Sequence, residues 1–532
     1  MDRYRITSEI YKNPFKYLYF FLLIFYIGMY VPYGLEDGDM GSIFGISWSM
    51  YNGYFPFKDF VYIKPPASPY FHSLFLYITE EYAYLINRAF YYVQVFMYSL
   101  LAAKLLFKVF KISSKNLVYF IAILGALVSI HNYPPMPWNT VDGVFFATIG
   151  LYFLFSEKKK ILSIITAAFF ISISVLCKQS FFFLPVFLFL YLLIFKEYRK
   201  LIYFIISGIF FALVFILILY LNNSWQPFFD QIFSFTPSSS LVDSGIKSYY
   251  LALKFNIIAI IIITTLFFIL RKLFPGNPTY LFLNLTIAGI FIYYFLGEDS
   301  FYTVKSGLLQ ILFVVTAFFA LLNFKKQKEY LFLLLLLSLS WCASISNGFK
   351  TPIHFSTPIV FGLFLLCYNF RDIKFSKKLG VFTVLLFTVT FYIGYQNIYM
   401  DSNRNKLTYN MGEVFPKLKF IKSDKETYEK YKELKTLSSK YDNFTILPSV
   451  TLGHYLTNTL NPIGVDWVFN HHLSNQLPAY IDKLNNKNIT VFLENFEGHI
   501  NNYEETSDLT MYVKEHWKMV EKSDYFRVYQ KP

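Results

Sequence analysis

The sequence predicts an α-helical, polytopic membrane protein with about thirteen transmembrane helices and a small α/β domain at its carboxyl end. Three observations lead to this fold class. Of the 532 residues, 55% are hydrophobic and only 15% are charged, the mean hydropathy is +0.42, and apolar runs long enough to cross a bilayer recur through residues 1–396. A typical soluble domain carries roughly 25% charged residues. The composition therefore excludes a cytosolic enzyme, a disordered chain and an ordinary nucleic-acid binder, despite the net charge of +14.

The first predicted span, residues 17–33, follows a polar, basic segment and has no small-residue cleavage site behind it, which indicates a retained anchor. Twelve further spans are predicted at residues 84–107, 116–131, 143–155, 161–177, 180–195, 201–221, 250–270, 279–296, 306–323, 330–346, 355–370 and 379–396. Residues 397–532 form the predicted second domain, because helical and strand-like patterns alternate there. A helix is expected at residues 425–437, and strands are expected at residues 444–448, 489–493 and 525–529.

The charged residues predict the orientation of these spans. With the amino terminus placed in the cytoplasm, the inward segments carry 23 basic residues and the outward loops before the tail carry six. Lys and Arg are retained on the cytoplasmic side of short loops. Residues 397–532 hold 17 basic and 17 acidic residues, so the whole positive excess belongs to residues 1–396. We therefore expect a multi-pass protein of the cytoplasmic (inner) membrane with an extracytoplasmic carboxyl-terminal domain.

The first outward loop, residues 35–83, is long and contains a predicted interfacial helix. Its apolar residues Met40, Ile43, Phe44, Ser47, Trp48 and Tyr51 follow a helical spacing. Just before them stand Glu36, Asp37 and Asp39, at the point where the first span leaves the bilayer. One of them, Asp39, is expected to cap the helix. Because one cap suffices, the remaining carboxylates at the membrane surface suggest a functional site.

Four short motifs in chain order resemble a known superfamily. The first is the segment Gly53-Tyr54-Phe55-Pro56-Phe57-Lys58-Asp59-Phe60 followed by Pro65-Pro66, and the others are Cys177-Lys178-Gln179, Lys350-Thr351-Pro352-Ile353-His354-Phe355 with Pro358, and Ile446-Leu447-Pro448 with Asn461-Pro462. Together with the acidic cluster they resemble the GT-C glycosyltransferases, in particular the bacterial relatives of the protein O-mannosyltransferases and of the lipid A aminoarabinose transferase. The resemblance spans nearly the whole chain and rests on the ordered set of motifs.

The resemblance implies a GT-C-like body and a role in cell-envelope glycan biosynthesis. Such an enzyme moves a hexosyl or pentosyl group from a polyprenyl-phosphate donor to an extracytoplasmic lipid, glycan or protein, with inversion at the anomeric carbon. A phosphate leaving group needs no general acid, so one Asp base and a cationic site for the phosphate suffice. The alternatives are a multi-span polysaccharide polymerase or oligosaccharide transferase, a lipid-linked-sugar transporter (flippase), and an inactive scaffold that only binds the lipid-linked sugar.

The resemblance also suggests roles for individual residues. The base is expected among Asp37, Asp39 and Glu36, in that order of preference, because the usual Asp-Glu pair is replaced by Glu-Asp here. The candidates for the donor phosphate are Lys178, Arg88 and Lys64. Lys178 could instead reach to the interface as a single ammonium group, and Arg88 could be a structural ion-pair partner.

The candidates for substrate binding are His354, Asp59, Gln179 and Lys350. Asp142 is a weaker candidate, because an Asp at a helix start is usually a cap, and Glu298 and Asp299 are similar. His471 and His472 show no recognisable metal-ligand spacing. The sequence therefore predicts no metal ion and no cofactor, while leaving a divalent metal open, and its expected partners are the lipid-linked donor, the acceptor and the bilayer.

Overall fold

The computed structural model is mostly helical, with a small sheet near the carboxyl end. It describes residues 12–132, 136–155, 161–233, 238–273, 305–323, 325, 329–345, 377, 380–381, 384–385, 388, 402–473, 476–495 and 507–532. The predicted spans at 279–296 and 355–370 lie outside the described residues, as does most of the one at 379–396. The predicted domain boundary at residue 396 also lies outside them.

Thirteen helices lie in the described part of residues 12–345. They are α1 (Pro14–Tyr30), α2 (Asp39–Tyr51), α3 (Ala67–Ile78), α4 (Ala83–Val109), α5 (Lys115–Asn132), α6 (Asn139–Leu154), α7 (Ile161–Val175), α8 (Leu184–Ile194), α9 (Tyr198–Leu221), α10 (Trp225–Phe233), α11 (Ser238–Leu273), α12 (Lys305–Asn323) and α13 (Glu329–Ser344). A helix therefore lies at each of the ten predicted spans in this part of the chain. The helix predicted from the Met40 to Tyr51 spacing is α2.

Among the described residues, two helices, α4 and α9, are long and apolar enough to cross a membrane, judged by length and composition alone. Six further apolar helices there are shorter. Most side chains of α9 are on the outside, including Ile206 and Leu217, which are 59% and 54% exposed. An apolar surface of this kind is suited to lipid rather than to water. The number of thirteen spans stays a prediction.

The body is built around α4, whose inner face carries the buried tyrosines Tyr84, Tyr91, Tyr92 and Tyr98. Helices α5 and α6 pack against α4, and α6 packs extensively against α7. In the first outward loop, α2 and α3 pack against each other, and Ser47 donates its hydroxyl to the carbonyl oxygen of Pro69 at 3.0 Å. The loop is therefore folded on the end of the bundle.

The tail combines six strands with helices and 3₁₀ turns. Its longer helices are α14 (Lys425–Lys440), α17 (Leu477–Asn486) and α18 (Asp508–His516), and the short ones are α15 (Gly453–Thr457) and α16 (Asn470–Leu473). Strands β1 (Tyr409–Asn410) and β2 (Lys422–Ser423) form a two-stranded sheet. The larger sheet has the order β3-β4-β6-β5, with β3 (Phe444–Leu447), β4 (Thr490–Glu494), β5 (Lys518–Lys522) and β6 (Phe526–Gln530).

The sequence predicts three strands of the larger sheet within about one residue, and it predicts α14. Strands β3 and β4 pair in parallel and are buried throughout, so most of their residues are apolar, with Thr445, Thr490 and Glu494 as the exceptions. The edge strand β5 was not predicted. Its sequence Lys518-Met519-Val520-Glu521-Lys522 is mostly exposed, so the strand has no buried face to produce an apolar pattern.

A buried polar network joins α3, α4 and α6. The Nδ1 atom of His72 lies 2.6 Å from Asn87 Oδ1, and its Nε2 atom lies 2.9 Å from Asp142 Oδ2. Gln94 donates its side-chain N–H to the other carboxylate oxygen of Asp142 at 2.7 Å. The expectation that Asp142 caps its helix is wrong, because no side chain caps α6 and the Asp142 carboxylate is turned into the bundle. This carboxylate fixes the outward loop to the helices beneath it.

Replacing Asp142 by Ala should destabilise the protein by about 3 kcal/mol, because it leaves His72 and Gln94 buried without their common acceptor. The measurement is the thermal unfolding midpoint of the detergent-solubilised full chain. The matched control is Asp482→Ala, since Asp482 is exposed on α17. Equal midpoints for the two variants would contradict this account of the network.

Candidate functional site

The acidic segment begins where the backbone leaves α1, and it is anchored there from two sides. The guanidinium of Arg88 donates to the carbonyl oxygens of Gly34 at 2.5 Å and Tyr33 at 2.6 Å. From the tail, the Lys422 carbonyl accepts the Gly34 N–H at 2.8 Å, and the Lys422 N–H donates to Pro32 at 2.7 Å. Arg88 is 3% exposed. Its contacts favour a structural role over binding of the donor phosphate.

Glu36 acts as the cap of α2. Its carboxylate accepts the backbone N–H groups of Gly38, Asp39 and Met40 at 2.9, 2.9 and 2.5 Å. These N–H groups have no partner inside the helix, and an anion at this end is favoured by the helix dipole. Burial, together with the charge of Asp39, raises the pKa of Glu36 to about 8. The cap is therefore Glu36, and the expectation that Asp39 serves as the cap is wrong.

Asp37 faces the tail. Its Oδ1 accepts the Leu452 N–H at 2.9 Å, and the hydroxyl of Thr451 donates to its main-chain oxygen. Burial raises the pKa of Asp37 to about 6, while the charge of Lys430 and a hydrogen bond from Tyr431 lower it. Lys430 is in turn paired with Glu494 of β4. Asp37 thus joins the first outward loop to the tail.

Two sides of α2 serve different purposes. Gly41 and Gly45, four residues apart, face Thr451 of the tail, and a Cβ atom at Gly45 would lie 2.5 Å from the Thr451 carbonyl oxygen. One residue further around the helix, Ser42 and Ile46 line a cleft. Asp39 precedes Ser42 by three residues, so it lies on the same side of α2. Of the three carboxylates, Asp39 is the one on the helix side that leads to the cleft.

Lys178 and Lys64 lie within electrostatic range of each other and of Asp39. Lys178 is 6% exposed, donates to Thr140 Oγ1 at 2.7 Å and lies 4.4 Å from the Trp138 ring centroid. Burial, reinforced by the Lys64 charge and opposed by Asp39, holds the pKa of Lys178 well below its usual range. Burial also lowers the pKa of Lys64, whereas the charge of Asp39 raises it. In the described part of the chain neither lysine has a carboxylate within 4.0 Å.

Two other predicted site residues hold this loop in place. Gln179 donates its side-chain N–H to the carbonyl oxygen of Ile63 at 2.6 Å, which connects the residue after Lys178 to the residue before Lys64. Asp59 accepts the Phe55 N–H at 2.7 Å and closes a turn in which Phe57 has a φ of +71°. Both contacts are with the main chain, so they indicate positioning of the loop.

The cleft lies between the first outward loop and the tail. It is lined by Ser42 and Ile46 of α2, by residues 60–64 and by residues 464–467. Its empty volume, including the part open to solvent, is about 510 Å³. Asp466 and Trp467 of the tail line it together with Lys64 of the loop. The loop is joined to the tail here by the Val61 N–H, which donates to the carbonyl oxygen of Gly464 at 3.1 Å.

Sequence reasoning did not identify Ser42, Asp466 or Trp467. The only nearby signal was Asn461-Pro462, part of the resemblance, which lies just before them. The candidates Lys350, His354, Glu298 and Asp299 lie outside the described residues. In the part of the chain that the structure describes, no group of three or more His, Cys, Asp or Glu side chains could hold a metal ion.

No family model matches the chain, and no curated protein matches it. Among solved structures, the apo crystal structure of ArnT from Cupriavidus metallidurans is similar with a TM-score of 0.44 and 10% identity, over 99% of this chain and 98% of that one. The crystal structure of the same protein bound to undecaprenyl phosphate has a TM-score of 0.42 and 10% identity, over 96% of this chain and 97% of that one. The apo oligosaccharyltransferase of Archaeoglobus fulgidus has a TM-score of 0.43 and 13% identity, over 86% of this chain and 66% of that one. Both are GT-C proteins.

Replacing Gly45 by Ala should loosen the tail from α2, because the added methyl group meets a main-chain oxygen that has little room to move. Overpacking of this kind costs about 1 to 3 kcal/mol. We expect faster hydrogen exchange at Thr451 and Leu452 and a lower unfolding midpoint, both measured on the full chain.

The matched control is Gly208→Ala in α9, where a Cβ atom would meet nothing within 4 Å. This variant should leave exchange at Leu452 unchanged. Equal behaviour of the two variants would show that α2 and the tail are not in close contact.

Proposed function

We propose that this chain is an integral-membrane glycosyltransferase that transfers one sugar from a polyprenyl-phosphate donor to an acceptor outside the cytoplasmic membrane. The observation that carries the proposal is the pair Lys64 and Lys178, whose charges act on each other and are both opposed by the charge of Asp39, with Lys64 in the wall of the cleft. Buried cations without a carboxylate partner are costly unless an anionic ligand compensates them. The donor's phosphodiester carries one negative charge and the departing polyprenyl phosphate gains a second, and this pair of cations suits both.

The apolar exterior supports the lipid part of the donor. A helix such as α9, with exposed Ile, Leu and Phe side chains along its length, is suited to contact with lipid. The excess of basic residues in alternate loops supports a cytoplasmic amino terminus and an extracytoplasmic tail. With that topology, the first outward loop and the tail enclose the cleft on the outer side of the membrane.

We infer that Asp39 is the base, ahead of Asp37 and Glu36. Glu36 is occupied by three backbone N–H groups and Asp37 by the tail, whereas Asp39 lies on the cleft side of α2 and interacts electrostatically with both lysines. This changes the order of preference that the sequence suggested. A base must lie near the group whose proton it takes, and the cleft side of α2 provides that position.

The reaction is a single displacement. The oxygen of an acceptor hydroxyl forms a bond to the anomeric carbon from the face opposite the phosphate. Asp39 takes the proton of this hydroxyl as the bond forms. The bond from this carbon to the phosphate oxygen breaks, and its electron pair stays on polyprenyl phosphate. Lys64 and Lys178 stabilise the negative charge that develops there. The proton passes from Asp39 to solvent, and the anomeric configuration is inverted.

Asp39→Asn should lower sugar transfer by at least about 100-fold, since general-base catalysis contributes a factor of this size. The lipid-linked sugar that accumulates when the protein is removed from cells should also accumulate in this variant. The measurement is mass spectrometry of polyprenyl-phosphate sugars extracted from cells that carry each variant. Asp37→Asn serves as the comparison and should retain transfer. Accumulation with Asp37→Asn but not with Asp39→Asn would reverse the assignment of the base.

The lowered pKa of Lys178 predicts a pH dependence of donor binding. The ammonium form binds phosphate and is lost as the pH rises through the lysine pKa. Measured upward from about pH 7, affinity should therefore fall at a lower pH than it would for an ordinary lysine, whose pKa is about 10.4. The lipid phosphate keeps its charge in this range, since its second pKa is about 6. The dissociation constant of undecaprenyl phosphate, measured with the purified chain, tests this.

Lys178→Arg should abolish the pH dependence, because a guanidinium stays charged throughout this range. Lys58→Gln, at an exposed position of the same loop, is the matched control and should behave like the natural chain. A dissociation constant that does not change with pH in the natural chain would argue against Lys178 as a phosphate ligand.

A further inference from the structure

The tail supplies a carboxylate and an indole to the cleft that the proposed phosphate site does not use. Asp466 is half-buried, and its Oδ1 accepts the Asn461 side-chain N–H at 2.9 Å. Asn461 is 4% exposed and is itself held by Thr445 at 3.1 Å and by the Val465 carbonyl at 2.6 Å. These hydrogen bonds fix the orientation of the Asp466 carboxylate, which is therefore preorganised to accept hydrogen bonds.

Asp466 lines the cleft and has one carboxylate oxygen that Asn461 does not use. Within the described part of the chain, this Oδ2 accepts no hydrogen bond, and a Cβ atom at Gly45 would lie 3.1 Å from it, so Oδ2 lies close to α2. Burial raises the pKa of Asp466 to about 6, which agrees with a carboxylate that its own chain satisfies only in part. A carboxylate in this state gains from a hydroxyl donor.

The walls around Asp466 suit a ring with one apolar and one polar face. Ile46, Phe60 and Trp467 contribute apolar surface, whereas Ser42, Asp466 and Lys64 contribute polar groups. A sugar ring has hydroxyl groups at its edge and C–H groups on its faces, which pack on aromatic side chains. The cationic end of the cleft is at Lys64, the group expected to hold the phosphate.

We propose that this cleft is the subsite for the donor's sugar ring, with Asp466 accepting hydrogen bonds from its hydroxyl groups and Trp467 packing against its face. The inference rests on the proposed function, because the phosphate at Lys64 and Lys178 carries the sugar directly and so places the ring beside Lys64. The tail then selects which sugar is transferred, while the loop supplies the base and the cations.

The test compares lipid phosphates with and without a sugar. The probes are undecaprenyl phosphate alone and a panel of synthetic undecaprenyl-phosphate hexoses and pentoses, and the measurement is the dissociation constant for the purified full chain. The natural chain should bind at least one sugar-linked lipid more tightly than undecaprenyl phosphate. Asp466→Asn should weaken that binding by about tenfold, because a charge-assisted hydrogen bond is lost, and should leave the affinity for undecaprenyl phosphate unchanged.

Four further variants make the result specific. Trp467→Ala should also weaken only the sugar-linked lipid, whereas Lys64→Gln should weaken both lipids. Asp482→Asn, at the exposed position on α17, is the matched control and should change neither. Unfolding midpoints equal to that of the natural chain show that Asp466→Asn and Trp467→Ala fold normally, and Trp467→Phe provides a milder change at the same wall.

The outcomes separate this inference from the proposed function. If the natural chain binds sugar-linked and sugar-free lipids equally, or if Asp466→Asn keeps the full preference, the sugar subsite is refuted while the phosphate site stands. If the acceptor alone occupies the cleft, both lipid affinities stay unchanged in Asp466→Asn and only the KM for the acceptor rises, which also refutes it. If the natural chain binds none of these lipids, the proposed function itself fails.

Discussion

The site depends on two lysines, Lys64 and Lys178, whose charges oppose each other at the edge of an apolar bundle. Lys178 is almost fully buried, and the Lys64 charge adds to the cost of keeping it protonated. The fold accepts this cost with neutral contacts: Thr140 and the Trp138 ring hold Lys178, and Gln179 holds the main chain before Lys64. A carboxylate partner within 4.0 Å would relieve the repulsion and would also occupy the place of an anionic ligand. The charge of Asp39 partly offsets the repulsion between the two lysines without forming a salt bridge to either of them, and so does not occupy the position of an anionic ligand.

The second requirement is that the first outward loop has a fixed shape, and the tail provides much of it. The tail contacts the loop at its beginning through Lys422, at the start of α2 through Leu452, along α2 through Thr451, and at its far side through Gly464. In addition, Lys417 of the tail lies over the ring of Trp48, 3.8 Å from its centroid, and donates to the Tyr455 carbonyl at 2.9 Å. The α/β tail is thus a structural part of the site.

Much of the fold follows from local sequence, because apolar runs predict helices and buried parallel strands. The same reasoning placed Asp39, Lys64 and Lys178 on the outward side, and the structure brings these three together. It could not distinguish the roles of Glu36, Asp37 and Asp39. These roles depend on contacts with Leu452, 415 residues away, and on which carboxylate reaches the first N–H groups of α2. Asp466 was missed for the same reason: a single Asp in a loop gives no signal until the fold places it in the wall of the cleft.

The cleft is closed by two stretches of backbone that meet through the Val61 and Gly464 contact, although they stand at opposite ends of the chain. A ribosome therefore makes one wall early and the other only near the end of synthesis. A growing chain, or one truncated before residue 464, has the basic pair and the acidic helix but an open trough between them. The cleft is therefore complete only after residues 464–467 have been synthesised.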